Sequence, residues 1–198
     1  MAAEMIERPE LTLPQTEAEY FKRQVSLHAR ILEYGSGGST VIAAEAAGKS
    51  IISVENDKAW ADKMAQWFSE NPTPSHPVLH RVDLGPTKAY AHPEDDTHFR
   101  SWPSYPLSVW ARPDFLEPDL IYIDGRFRVA CFLTALFKVK RRTTVLFDDY
   151  LNRPQYHFVE TFFKPSAVVG RLARFEIEPT QFPVDRMDQI LPYYIDPA

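Results

Sequence analysis

Acidic residues stand at regular places along the chain, each at the end of a short apolar run. Glu33, Glu55, Asp83 and Asp124 end four such runs, and the pair Asp148-Asp149 ends a fifth. Single Asp and Glu residues often serve as turn formers or helix caps, a role that Ser, Thr, Asn or Gly would serve equally well. Because all five positions are acidic, we favour a shared function, in which the carboxylates attract a ligand with a positively charged end.

The apolar runs are typical of strands that position these carboxylates. Strands are predicted at residues 30–34, 51–54, 78–82, 120–123 and 144–147, and helices between them at residues 38–47, 58–69 and 129–140. This alternation predicts an α/β fold, a doubly wound and mostly parallel sheet with helices on both faces. In such a sheet ligands bind outside the carboxyl ends of the strands, where the acidic residues stand.

Several segments lie outside this alternation. Residues 16–28 are predicted to form a lead-in helix with Thr16 as its N-cap. Residues 85–118 are too long for an ordinary connection, and their aromatic residues fit either a lid or a structural cover of the sheet edge. Residues 156–163 are predicted to be helical, and residues 167–177 and 189–195 to supply the last strands. The 198 residues are expected to form one domain.

A glycine-rich turn, Gly35-Ser36-Gly37-Gly38-Ser39-Thr40, follows the first predicted strand. It is similar to a dinucleotide-binding loop, but Thr40 stands where G-x-G-x-x-G has its third glycine. A dinucleotide would also bring its pyrophosphate close to Glu33, and the like charges would repel one another. S-adenosylmethionine, which carries a sulfonium and an ammonium group, suits the same carboxylates better.

Ordered segments of residues 31–150 resemble the motifs of class I S-adenosylmethionine-dependent methyltransferases. These segments are EYGSGGS at residues 33–39, VEND at 54–57, RVDLG at 81–85, DLIYIDGR at 119–126 and VLFDDY at 145–150. The resemblance implies a seven-stranded Rossmann-like methyltransferase sheet. It also implies an enzyme that methylates an oxygen or nitrogen atom of a small-molecule acceptor. The sequence departs from the family's pattern at Ser39, where a third glycine is common, and at Lys140-Arg141-Arg142-Thr143, which replaces the Pro-Gly-Gly turn often found before strand five.

The resemblance also implies which residues bind the cofactor. The glycine turn would let the backbone approach it, Glu33 would serve its methionine ammonium group, and Glu55 would accept hydrogen bonds from its ribose hydroxyls. Asp83 and the Leu84 amide would bind the adenine, and Asp124 would lie beside the methionine end. The full set is Glu33, Gly35, Ser36, Gly37, Gly38, Thr40, Glu55, Asn56, Asp83, Leu84, Asp124 and Gly125.

Two candidate catalytic residues, Asp124 and Asp149, are expected at neighbouring strand ends. They resemble carboxylates that hold Mg²⁺ in some small-molecule O-methyltransferases, which gives one interpretation. The other is that no metal binds and that Asp148 or Asp149 caps a following turn and fixes Arg153 or Tyr150. Arg126 and Arg128, in the DGRFR segment, indicate either an anionic partner or pairing with nearby carboxylates.

The composition argues against several other classes of protein. A net charge of −5 is unlike that of a protein that binds nucleic acid through its phosphates. No apolar run approaches the roughly 20 residues of a membrane span. The single cysteine, Cys131, fits a reducing compartment, and the first residues show no secretory signal, so a cytoplasmic location is expected.

Two alternative functions stay open from the sequence. A non-catalytic module could keep the methyltransferase fold and bind the cofactor or a protein partner, because a fold does not imply an activity. A nicotinamide-dependent oxidoreductase is the third hypothesis, since Glu55 would also suit the ribose of NAD.

Overall fold

A seven-stranded sheet organises the chain in a computed structural model that describes residues 6–198. The strands are β1 (Arg30–Tyr34), β2 (Ser50–Glu55), β3 (Val78–Arg81), β4 (Leu120–Ile123), β5 (Thr143–Phe147), β6 (Ala167–Val169) and β7 (Leu172–Ile177). Their order across the sheet is β3-β2-β1-β4-β5-β7-β6. Strands β1 to β5 pair in parallel, and β7 is antiparallel to both β5 and β6. The strand order therefore reverses between β1 and β4, where such a sheet opens a crevice.

Helices cover both faces of the sheet. One face carries α1 (Gln15–Leu27), α2 (Gly38–Glu45) and α3 (Lys58–Glu70), and the other carries α4 (Ser104–Leu107), α5 (Arg128–Lys138) and α6 (Met187–Ile190). Short 3₁₀ helices lie at Ala89–Ala91, Ser108–Ala111, Pro154–Thr161, Val184–Arg186 and Leu191–Ile195. None of the helices in residues 6–198 has both the length and the apolar surface needed to cross a membrane.

Two hydrophobic cores lie on the two faces because successive side chains of a strand point in opposite directions. In β1, Ile31 packs with the helices α1 to α3, whereas Leu32 packs on the α5 side. Every residue of β4 and β5 is buried, as expected for parallel strands covered on both faces. This double burial holds the carboxyl ends of β1, β4 and β5 at fixed positions.

Residues 85–118 join the hydrophobic core on the α5 side of the sheet and also reach the carboxyl ends of the strands. Trp102, Tyr105 and Val109 are buried in this core. The Tyr34 hydroxyl at the end of β1 donates to the Pro106 carbonyl at 2.8 Å, and the Trp110 indole N–H donates to the same hydroxyl at 2.8 Å. The later part of the segment therefore covers the sheet beside β1.

The predicted fold class is confirmed, and the first five strands are found within one residue of their predicted ends. The prediction of a strand at residues 189–195 is wrong, because this segment is helical and lies against α5. Pro192 cannot donate to a strand ladder, and the Tyr194 hydroxyl lies 2.9 Å from that of Thr134. Helix α1 begins at Gln15 without a side-chain cap, so Thr16 does not cap it.

Candidate functional site

A cavity of about 930 Å³ opens at the carboxyl ends of β1, β2, β4 and β5. Ligand sites of small molecules typically measure roughly 300–1,000 Å³. The wall includes the glycine turn after β1, Glu55 and its two successors after β2, Asp124 after β4, and the Asp148-Asp149 pair after β5. Most acidic strand ends therefore meet at one place, and Glu33 and Asp83 are the exceptions, since neither lines the cavity.

The three glycines of the turn differ in what a side chain would meet. At Gly35, where φ is +100°, an added Cβ would lie 2.7 Å from the backbone of Gly125. At Gly38 it would lie 2.1 Å from the carbonyl carbon of Glu10. At Gly37 it would meet nothing within 4 Å, and the backbone there is extended with φ 176°. Gly35 and Gly38 thus let chain segments approach one another, whereas Gly37 borders open space in the cavity.

Glu33 lies beneath the glycine turn with its carboxylate enclosed. The hydroxyls of Ser39 and Thr40 in the first turn of α2 donate to it, and the Ser53 hydroxyl donates at 2.6 Å. Burial raises the pKa of Glu33 to about 7, although the three hydroxyls favour the ionised form. Glu33 does not itself line the cavity. It is connected to the cavity through Ser39, which does.

Glu55 faces the cavity with a carboxylate that backbone amides hold in place. The N–H groups of Ser36, Asn56 and Asp57 donate to it at 3.1, 2.8 and 2.8 Å. Burial raises the pKa of Glu55, and the three amide donors oppose that shift. These bonds fix the carboxylate at the wall, where it can accept hydrogen bonds from the hydroxyl groups of a ligand.

The residues after Glu55 connect the cavity wall to neighbouring loops. The Asn56 side-chain N–H₂ donates to the Ala91 carbonyl at 2.8 Å, and its Oδ1 is buried without a partner among residues 6–198. Asp57 caps α3 by accepting the Trp60 backbone N–H at 2.9 Å, and the Trp60 indole N–H donates to the Ser36 carbonyl at 2.8 Å. A buried amide oxygen at the wall is suited to a ligand's N–H or O–H donor.

Asp83 and Leu84, which the family resemblance implies would bind the adenine, lie outside the cavity. The Asp83 carboxylate accepts the backbone N–H of Gly85 at 3.0 Å in a local turn. Leu84 is buried in the hydrophobic core. Beyond β2 the wall is supplied by Asp57 and Trp60 instead.

Asp124 and Gly125 lie where the strand order reverses. A Cβ at Gly125 would lie 2.0 Å from the Tyr105 hydroxyl oxygen, so the chain has no room for a side chain there. The Asp124 carboxylate lies 3.1 Å from the Arg128 guanidinium and accepts the Tyr122 hydroxyl at 3.3 Å. Burial, and then the nearby Asp148 carboxylate, raise the pKa of Asp124 to about 7 against the charge of Arg128. A carboxylate with such a pKa can accept a proton near neutral pH.

Asp124, Asp148 and Asp149 place one oxygen each within 4.8 Å of one another. Three arginines already pair with them at 2.8 to 3.3 Å, namely Arg128, Arg153 and Arg171. Mg²⁺ requires a nearly octahedral shell of oxygen ligands and would here face guanidinium groups instead. The cluster does not fit the Mg²⁺ ion considered from the sequence for Asp124 and Asp149.

Residues 90–92 bring the long segment to the cavity wall. Tyr90 and Ala91 have φ values of 61° and 57°, a left-handed conformation that is uncommon outside glycine. Asn56 holds the Ala91 carbonyl, and the His92 Nε2 atom lies 2.6 Å from the Arg126 guanidinium. The segment is thus tied to the wall from the β2 side and from the β4 side.

Several residues of the cavity wall were not predicted from the sequence. Glu10, Leu11 and Thr12 line the cavity because their segment crosses Gly38, and an extended segment has no periodic pattern that would predict this contact. Arg171 reaches the wall from the turn between β6 and β7, the part of the sheet farthest along the chain. The sequence feature that could have indicated this contact is Gly38, because a glycine allows another part of the chain to approach the backbone closely.

Solved structures provide an independent comparison with this chain. A methyltransferase-like protein from Silicibacter pomeroyi is 45% identical over 96% of this chain and 99% of its own, with a TM-score of 0.92. The O-methyltransferase from Bacillus cereus, solved with S-adenosylhomocysteine, is 14% identical over 84% of this chain and 82% of its own, with a TM-score of 0.59.

The O-methyltransferase TomG from Streptomyces achromogenes, solved with S-adenosylmethionine, gives 14% identity over 86% of this chain and 82% of its own, with a TM-score of 0.56. No protein-family model matches the chain, and no curated protein matches it. The two O-methyltransferases share the fold, and the Silicibacter protein is a relative along almost the full length.

Proposed function

This chain belongs to the class I S-adenosylmethionine-dependent methyltransferase family, and on that premise we propose which reaction its cavity performs. The cavity binds S-adenosylmethionine, and the protein transfers the methyl group to an oxygen or nitrogen atom of a small-molecule acceptor. The observation that carries this proposal is Glu55, a carboxylate oriented by three amides at the wall. One of these amides belongs to Ser36, the residue before Gly37, where the wall leaves open space.

Each part of the wall has a role in this proposal. Glu55 accepts the ribose hydroxyls in the bidentate manner that suits a carboxylate. Gly37 leaves room for the cofactor, and the unpartnered Oδ1 of Asn56 accepts one of its donors. Asp124 and Gly125 lie beside the methionine end, on the β4 side. Asp57 and Trp60 replace Asp83 and Leu84 as the residues beyond β2.

Glu33 contributes to the proposed cofactor site indirectly, through other side chains. Its carboxylate holds the hydroxyls of Ser39 and Thr40, and Thr40 in turn accepts the Gly37 backbone N–H at 2.9 Å. A buried network of this kind fixes the start of α2 and the position of the glycine turn. Glu33 is therefore a positioning residue for the cofactor site.

The protein does not need to form a covalent intermediate in this reaction. S-adenosylmethionine supplies a methyl group that its sulfonium activates for displacement. The protein aligns the acceptor with that methyl group and excludes water from the cavity. Asp124 accepts the proton of an acceptor hydroxyl or amine, a step that its raised pKa favours.

Calorimetric titration with S-adenosylhomocysteine tests the cofactor claim. We expect the wild-type protein to bind, and Glu55→Ala to weaken binding about tenfold or more, because charge-assisted hydrogen bonds to the ribose are lost. Glu178→Ala removes an exposed carboxylate outside the cavity and should bind like the wild type. Absence of wild-type binding at millimolar ligand, or an unaffected Glu55→Ala protein, would refute the proposal.

A further inference from the structure

Arg126 is a buried guanidinium in the cavity wall that no carboxylate neutralises. It follows Gly125 at the end of β4, lines the cavity and is 6% exposed. It forms no ion pair among residues 6–198, where the cluster's ion pairs all belong to Arg128, Arg153 and Arg171. Its Nε atom is buried without a hydrogen-bond partner in the described chain. A buried charge of this kind is costly unless a partner completes it.

The neighbours of Arg126 add to the positive charge. Burial lowers its pKa, and the Arg128 charge lowers it further. Arg128, Arg153 and Arg171 pair with the carboxylates of Asp124, Asp148 and Asp149 in the same wall, whereas Arg126 pairs with none of them. The Arg126 charge is therefore left without an ion-pair partner in the described chain.

His92 is the single side-chain hydrogen-bond partner that the described chain offers to the Arg126 guanidinium. Burial, and then the Arg126 charge, lower the pKa of His92. The imidazole is thereby kept neutral and accepts the hydrogen bond from Arg126 without balancing its charge. The remaining N–H donors of Arg126 are suited to a planar oxyanion, which a guanidinium binds with two parallel hydrogen bonds.

We propose that Arg126 binds an oxyanion group, a carboxylate or a phosphate, of the methyl acceptor. This inference rests on the proposed function and names the acceptor's chemical class. Arg126 follows β4 and Glu55 ends β2, and β1 with its glycine turn lies between these two strands. In this proposal the oxyanion holds the acceptor on the β4 side, where Asp124 also lines the cavity, and the acceptor's hydroxyl or amine is directed at the methyl group.

Calorimetric titration with three probes tests this assignment, with and without saturating S-adenosylhomocysteine. The probes are benzoate, inorganic phosphate and benzamide, the last being the neutral counterpart of benzoate. We expect at least one oxyanion to bind wild-type protein about tenfold or more tightly than benzamide, as charge-assisted bonds require. Tighter benzoate indicates a carboxylate acceptor, and tighter phosphate indicates a phosphorylated one.

Two variants locate the effect. Arg126→Gln should lose about tenfold or more of the oxyanion affinity and keep its affinity for S-adenosylhomocysteine, while Arg23→Gln, an exposed arginine of α1, should match the wild type. If Arg126→Gln does not fold, the same titrations are done with Arg126→Lys, which keeps the charge but loses the two parallel N–H donors and should bind the oxyanion more weakly. The wild-type comparison of benzoate with benzamide then tests the preference for an oxyanion. The assignment is overturned if neither oxyanion binds, if benzamide binds as tightly, or if Arg126→Gln weakens S-adenosylhomocysteine alone.

The two proposals fail separately in this design. Oxyanion binding without S-adenosylhomocysteine binding would refute the cofactor claim and keep the oxyanion site. S-adenosylhomocysteine binding without oxyanion binding would refute the oxyanion site and keep the cofactor claim.

Discussion

Two buried glutamates at the ends of neighbouring strands perform different tasks because their partners differ. Glu33 is surrounded by hydroxyls of Ser39, Thr40 and Ser53, which leaves it no face toward the cavity. Glu55 is held by backbone amides from one side and lines the cavity with the other. The sequence indicated that both glutamates belong to a ligand site. It could not show their different roles, because these depend on which donor groups surround each carboxylate in the fold.

Gly37 offers a test of the cofactor site at a single methyl group. Gly37→Ala keeps a backbone that any residue adopts and adds a Cβ in open cavity space. We expect unchanged stability but weaker binding of S-adenosylhomocysteine, by about 1–3 kcal/mol from overpacking. Calorimetry and thermal unfolding on the same samples check both expectations.

Gly48→Ala is the matched control for Gly37→Ala. Gly48 lies outside the cavity with φ +75°, so alanine there should lower the thermal stability and leave binding unchanged. Equal S-adenosylhomocysteine affinities of Gly37→Ala and wild type would mean that the cofactor does not pass close to Gly37.

The buried Glu33 carboxyl should make the stability depend on pH. Its pKa rises from 4.5 to about 7 on folding, so folding favours the protonated form, and stability should fall as the pH rises from about 4.5 to about 7. Glu33→Gln should flatten this slope and raise the unfolding free energy at pH 8 by up to about 3 kcal/mol. Urea unfolding across this pH range measures both.

Two comparisons qualify that experiment. Asp124 also has a pKa raised to about 7, so Glu33→Gln should remove only part of the slope. Glu178→Gln, which changes an exposed carboxylate, should leave the slope as in the wild type. A Glu33→Gln profile parallel to that of the wild type would contradict the raised pKa of Glu33.

Between β4 and β5, Arg128 connects the two strand ends. Its guanidinium donates to the carbonyls of Gly125, Asp148 and Asp124 at 2.9, 2.8 and 3.1 Å, and pairs with two carboxylates. Arg128 thus uses its fork of donors to hold the loops that carry Asp124 and Asp149. Internal pairing, one of two interpretations of the DGRFR segment, describes Arg128, whereas Arg126 has no carboxylate partner in the described chain.

Replacing Arg128 should therefore destabilise the loops at the carboxyl ends of β4 and β5. The side chain is 3% exposed, and Arg128→Met would leave Asp124 without its ion-pair partner and the carbonyls of Asp124, Gly125 and Asp148 without this donor, at a cost of about 3–5 kcal/mol. Arg153→Met removes a 39% exposed partner of Asp149 and should cost about 1 kcal/mol or less. Urea unfolding of both variants tests this difference, and similar small losses would contradict the bridging role.

The same cluster predicts how the protein responds to metal. Because the three carboxylates are already paired with guanidinium groups, millimolar Mg²⁺ or EDTA should change neither the melting temperature nor the affinity for S-adenosylhomocysteine. Asp185→Ala, which removes an exposed carboxylate, controls for non-specific ion effects. A rise in melting temperature with Mg²⁺ that Asp149→Ala abolishes would show that the cluster does bind metal.

Elements were predictable from sequence where one local pattern dominated. The runs that became β1, β2, β4 and β5 are apolar, short and ended by an acid, so that period and length agree. Residues 189–195 are also rich in apolar side chains, but a short apolar run fits a helix and a strand equally well. Packing of Tyr194 on α5 decides for the helix, and such a long-range contact is not visible in the local pattern.

For the molecule as a whole, the position of the cavity follows from the strand order. The reversal between β1 and β4 places the glycine turn beside Gly125, and the loops after β2 and β5 close the two sides. The sequence predicted this place from the acidic strand ends. It could not predict the wall residues that come from distant segments, namely Glu10, Ala91 and Arg171, because only the folded chain brings them together.

A crystal structure of the protein soaked with S-adenosylhomocysteine would show whether the cavity is the cofactor site. We expect the ligand in the cavity of about 930 Å³, with its ribose hydroxyls within hydrogen-bond distance of Glu55 and its sulfur on the side of Asp124 and Gly125. Ligand density outside this cavity, or a ribose bound on the Asp124 side without contact to Glu55, would refute the proposed cofactor site.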